Sequence, residues 1–157
     1  MKYKCVNELS KFGFQEAGLI SCDYKEGTMN LTFEGVIAMY DNPHNQKFED
    51  CYISATQMRL KNASIVKFFL EGAKYYDAND VLLEEVPDRD IMPEACMETI
   101  EKLSNSAVFM LREKNTDQEE TKCCIMAVDV EEDTYWMEIQ YEKAVIEWER
   151  FMNKVQP

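Results

Sequence analysis

The chain has 157 residues, 46% of them apolar, with only five glycines, four prolines and one histidine, and a formal net charge of −13 at pH 7. That length suits a single domain over 1–157 able to bury roughly 70% of its unfolded surface, and the apolar content argues against disorder. The charge argues against direct contact with nucleic acid or an anionic membrane, since no window gathers four Lys or Arg to offset it; basic partners, divalent cations or plain solubility remain.

The N-terminal stretch "MKYKCVNELSKFGF" lacks an unbroken apolar segment of the signal-peptide kind, and no run approaches the ~18 apolar residues of a membrane span. The expected location is therefore the cytoplasm. Cys5, Cys22, Cys51, Cys96, Cys123 and Cys124 are then expected as reduced thiols. None is spaced as C-x-x-C, so no zinc site or redox pair is implied.

In chain order, Cys5, Val6, Leu9 and Phe12 fall at helical spacing, and Gly13 is a natural stop. A short helix over 3–12 is expected, with an extended arm as the alternative. The pattern then turns to period two through "GLISCDY", "TMNLTFEGVIAMY", "CYISATQMRL" and "ASIVKFFL", which read as strands. "DYKEGT" is a hairpin signal, with Gly27 supplying a positive φ. Met29, Leu31 and Phe33 share the buried face of one strand, and Gly35 marks a bend before the apolar stretch 36–40.

The segment "EGAKYYDANDVLLEEVPDRDIMP" reads as a short apolar element at Val81 to Val86 between acidic loops. Within it "DANDVLLEE" (77–85) starts like a calcium loop with Asp77 and Asn79 but places Val81 and Leu82 where a ligand and a glycine belong, so no metal site is expected. Pro93 suits the first position of a helix over 93–104, with Cys96, Ile100 and Leu103 as its apolar stripe. "SAVFMLRE" and "TKCCIMAVDV" follow as strands around the polar loop "KNTDQEE". "YWMEIQY" is a further strand, after which Tyr141, Val145, Trp148, Met152 and Val155 take helical spacing. A C-terminal amphipathic helix over 142–154 is the expectation. The fold class predicted is α+β: a curved, mainly antiparallel sheet of seven or eight strands with one or two covering helices.

Chemistry is thinly signalled. His44 sits in "DNPHN", where Asp41 and Asn42 can close Asx-turns and Asn45 tolerates left-handed backbone. As a general base it would need Asp41, Glu49 or Asp50 to orient it, and no nucleophile lies in a recognisable setting. No glycine-rich phosphate cradle occurs and no cofactor is implied. The expected function is a non-enzymatic binding or protein-interaction module taking a basic partner, with a second copy of the chain a further candidate. The alternative is a small-molecule-binding or enzymatic barrel-like domain with its pocket near 41–50, and an acidic nucleic-acid mimic is a minor third. Candidate contact residues are Asp41, Asn42, His44, Asn45 and Trp136.

Overall fold

The computed structural model describes residues 1–116 and 120–156. Strands make up 57% of the chain. In order they are β1 (Tyr3–Val6), β2 (Phe12–Gly13), β3 (Gly18–Lys25), β4 (Thr28–Glu34), β5 (Ile37–Ala38), β6 (Cys51–Ile53), β7 (Thr56–Lys61) and β8 (Ser64–Leu70). There follow β9 (Ala73–Tyr76), β10 (Leu82–Val86), β11 (Arg89–Asp90), β12 (Ser106–Lys114), β13 (Lys122–Val130), β14 (Asp133–Tyr141), β15 (Lys143–Trp148) and β16 (Phe151–Lys154). One α-helix, α1 (Cys96–Lys102), extends a 3-10 turn over Pro93–Ala95, with Pro93 at its start.

The main sheet has ten strands in the order β1-β15-β7-β4-β3-β12-β13-β14-β8-β11, paired antiparallel throughout. β14 and β15 are separated only by Glu142, and β7 and β8 only by Asn62 and Ala63. The pairs β14–β8 and β15–β7 are thus two halves of one bent ribbon. The run β7-β4-β3-β12-β13 leaves one half and returns to the other, so the sheet closes on itself around the core. Within that run the narrowest seam is β3–β12, two residue pairs long. It is reinforced by backbone bonds from Val108 N to Ala17 O and from Glu16 N to Val108 O, and α1 packs against β3 there.

This corrects the α+β expectation: the fold is mostly β, with ten strands in its main sheet, and α1 with its 3-10 turn is the one short helical cover. The C-terminal helix expected over 142–154 is two strands, β15 and β16. The reason lies at Glu142. Core residues on β14 are Met137, Ile139 and Tyr141, whereas on β15 they are Ala144, Ile146 and Trp148. The bend switches the inward face from odd to even positions. Tyr141, Ala144 and Trp148 thereby acquire three- and four-residue spacings without a helix turn between them. Val145 is buried as well, because β15 lies inside the sheet between β1 and β7, so no polar alternation betrays the strand.

The N-terminal helix is also absent. Residues 3–6 form the edge strand β1, paired Cys5 to Ile146 and Tyr3 to Trp148, and only Leu9–Lys11 makes a 3-10 turn. Pairing covers the open edge of β15, which outweighs a weak helical preference. The β3–β4 turn has Glu26 at φ 52° and Gly27 at φ 77°, the doubly positive form favoured between twisted antiparallel strands. Met29, Leu31 and Phe33 then point into the core. Gly35, at φ 76°, takes the chain out of the main sheet and into a second one of order β16-β6-β5-β2. Of the "KNTDQEE" loop, residues 117–119 lie outside the described residues.

Between β8 and β11 the chain leaves the sheet as a two-stranded arm, β9–β10. Asp77 accepts the backbone N–H groups of Asn79 and Val81 to form its tip. At its root the strands cross so closely that a Cβ on Gly72 would stand 2.0 Å from Val86 O and 2.6 Å from the Pro87 carbonyl carbon. Gly72 N also donates to the Asp88 carboxylate at 2.7 Å. Both obstacles are backbone, so no rotamer change relieves them. Gly72→Ala is expected to spread the root, exposing 71–90 to limited proteolysis while global stability falls by about 1–3 kcal/mol. An unchanged cleavage pattern would contradict this packing.

Candidate functional site

Four of the five candidate residues belong to the loop between β5 and β6, and two of them are structural. Asn42 is buried; its Nδ2 donates to Lys11 O at 3.2 Å and its Oδ1 accepts the His44 N–H at 3.1 Å. Asn45 is buried too, with Nδ2 lying 3.3, 3.1 and 2.7 Å from Ala38 O, Met39 O and Glu49 O, while Oδ1 accepts the Lys47 N–H. These side chains replace the ladder bonds that an irregular loop lacks. Asp41 accepts a 2.8 Å bond from Lys11 Nζ, and that ammonium holds its carboxyl below the usual carboxylate range.

His44 is packed rather than poised as a base. Its Nε2 lies 2.9 Å from Lys4 O. A carbonyl can only accept, so Nε2 carries the proton in that bond. Its ring meets Tyr3 at 5.6 Å and Trp148 at 5.7 Å between centroids. Among the described residues its ring nitrogens meet none of the three acids Asp41, Glu49 and Asp50: Asp41 is on Lys11, and Asp50 accepts the Tyr40 N–H. Five of the six cysteines are held away from the nucleophilic form. Burial pushes the Cys5 and Cys22 thiols up to about 12 and raises Cys124, Cys123 and Cys96 as well, away from the reactive thiolate. Among the described residues no group of three or more His, Cys, Asp or Glu is placed to hold a metal ion.

The loop forms one wall of a cleft of about 460 Å³, lined by Tyr3, Pro43, His44, Lys47, Arg150 and Phe151 along with Asn45 and Gln46. Behind it lies Trp148, fully buried, stacked on Tyr3 and met edge-on by Phe12, His44 and Phe151. Lys47 lies inside the 41–50 loop, where its residue type alone gives no sign of a site. Nothing local marks Tyr3, Arg150 and Phe151, because β1 and the start of β16 bring residues from opposite ends of the chain to the loop.

Trp136 belongs to a different surface. It lies on β14, stacks on Phe69 of β8 at 6.3 Å with planes 6° apart, and meets Phe109 edge-on. Its indole N–H donates to the Glu71 carboxylate at 3.2 Å, bracing the residue from which the arm departs. The arm itself carries Tyr75, Tyr76, Val81, Leu82, Leu83 and Val86, each 44–67% exposed. Leu83 sits at an irregularity where the register shifts between Leu82 and Glu84. The sequence located this apolar element but gave no sign that it projects from the fold.

No protein-family model matches the chain, and searches of curated proteins and of solved structures found no match.

Proposed function

We propose that this chain is a non-enzymatic interaction module of the cytoplasm that docks through the arm β9–β10 onto a protein with an apolar groove and a basic rim. The observation that carries the reading is the set of large apolar side chains exposed along the arm. A two-stranded hairpin is marginal in water by itself, and apolar side chains on it gain free energy only when something covers them. Between Glu71 and Asp90 the chain holds seven carboxylates against Lys74 and Arg89. Two arms laid together would bring like charges into contact, which disfavours a second copy and favours a cationic partner. The Trp136, Phe69 and Phe109 cluster beside the root extends the apolar surface onto the sheet. Six free thiols suit a reducing compartment, and among the described residues no helix is long and apolar enough to cross a membrane.

A photo-crosslinking side chain placed at position 83 in cells, with position 26 as control, tests the reading. The expected adduct is a basic protein specific to position 83. Purified, that protein should bind the wild-type chain directly, and Leu83→Asp should weaken it roughly tenfold or more. Raised salt should weaken it too. Adducts with this chain alone, or the same adducts from both positions, would overturn the proposal.

A further inference from the structure

The cleft beside His44 has a character at odds with the rest of the molecule. On a chain of net charge −13, the residues lining it include Lys47 and Arg150 and no carboxylate. Neither cation is held in an ion pair among the described residues; the four pairs present use Lys11, Arg59, Lys74 and Lys114. Of the acids in the flanking segments, Asp41 is held by Lys11 and Asp50 by the Tyr40 N–H, while Glu49 and Glu149 stand outside the lining. The cleft is thus a local inversion of sign, in which an anion meets two uncommitted donors.

The two cations are also fixed at their backbones. Lys47 N–H is held by Asn45 Oδ1 at 3.0 Å. The Glu149 and Arg150 N–H groups both reach Ser54 Oγ at 3.1 Å, and Ser54 N–H donates back to Arg150 O. Little backbone freedom remains to be lost on binding, which favours affinity at a site with few contacts. Between them the cleft presents rings: Tyr3 and Phe151 with centroids 5.1 Å apart, His44 beside Tyr3, and buried Trp148 behind all three. Its volume falls within the ~300–1,000 Å³ of small-molecule sites.

We infer that this cleft binds a small aromatic anion, its carboxylate or phosphate taken by Arg150 and Lys47 and its ring laid against Tyr3 and Phe151. The guanidinium fork matches either anionic group in a bidentate manner. The inference is independent of the docking arm, which lies on other strands and is acidic.

Trp148 touches three of the lining rings, so its fluorescence reports on the site once Trp136→Phe removes the other tryptophan. In that background, phenyl phosphate and benzoate are titrated beside inorganic phosphate and phenol, with calorimetry on the same pairs. At least one aromatic anion is expected to saturate below about 1 mM. Inorganic phosphate should bind at least tenfold more weakly, and phenol should not saturate. Arg150→Gln and Lys47→Gln should each weaken the aromatic anion about tenfold, while Lys74→Gln on the arm changes nothing. Both lining substitutions remove side chains without bonds, and unchanged thermal unfolding of the free variants confirms that they fold. Failure of both aromatic anions to saturate, or full binding by Arg150→Gln, overturns the inference. Equal affinity for inorganic phosphate overturns the aromatic half of it, and equal affinity for phenol the anionic half.

Discussion

Trp148→Ala is expected to destabilise the fold by roughly 3–5 kcal/mol, the largest effect of any single truncation considered. Trp148 is completely buried where β1, β15 and β16 converge, and four rings lean on it: Tyr3, Phe12, His44 and Phe151. Removing the indole leaves a void whose walls are strands on two different sheets, which cannot both move inward. Trp148→Phe separates volume from polarity. Among the described residues the buried indole Nε1 has no hydrogen-bond partner, so deleting it recovers part of a desolvation cost of about 1–3 kcal/mol while a smaller void opens. The Phe variant should therefore lose less than about 2 kcal/mol. Urea midpoints of the two variants against wild type provide the check. Equal losses would mean that the N–H is satisfied by a ring face. Trp136→Ala, by contrast, strips a ring from the sheet's outer surface and should cost under about 1 kcal/mol. The two tryptophans look alike in sequence and differ only in the side of the sheet on which they stand.

That difference shows where legibility ended. Strands whose one face is buried were readable: Met29, Leu31 and Phe33 alternate with polar residues because β4 has one wet side, and the turn at Gly27 requires a residue free to take positive φ. The strand β15 was not. β15 buries Ala144, Val145 and Ile146 in succession, and a parity switch at Glu142 produces the spacing of a helix from the geometry of a bent strand. β1 failed for another reason. Its four residues have little preference of their own, and what makes them a strand is the open edge of β15, more than a hundred residues away. The helix after Pro93 was legible because its signal is local.

The site divides in the same way. Asn42 and Asn45 drew attention as turn formers, and the His44 and Lys47 N–H groups bound by their Oδ1 atoms are bonds of that kind, whereas their Nδ2 atoms tie the loop to Lys11 O, Ala38 O and Met39 O. The cleft they support draws Tyr3, Arg150 and Phe151 from distant segments, and no reading along the chain could assemble it. The arm was opaque for a subtler reason. Apolar residues normally imply burial, and nothing in Tyr76, Leu82 and Leu83 themselves announces that they stand in solvent.

Asn45→Ala is expected to cost about 2–3 kcal/mol although it removes only three heavy atoms. One primary amide holds the loop: its Nδ2 lies among three backbone carbonyls, and its Oδ1 takes the Lys47 N–H. Alanine withdraws all four bonds at once, leaving Met39 O only the Asn42 N–H, and the freed groups are too dispersed for one water to serve them all. Asn45→Asp tests the account more sharply, since it keeps the shape and the acceptor but turns the donor into an oxygen facing three oxygens. At neutral pH its cost should equal or exceed that of the alanine variant. A carboxyl in that setting is favoured in its neutral form, so its folded pKa lies above the ordinary value of about 3.9 in the unfolded chain. The folded state then binds the proton more tightly. The deficit of N45D relative to wild type should therefore shrink as pH falls toward about 4 and be fully present at pH 7. Paired urea titrations at the two pH values measure it. A pH-independent deficit would show that the loop rearranges instead of enduring the repulsion. Because Lys47 and His44 hang from the same loop, binding of the aromatic anion should be lost in step with stability.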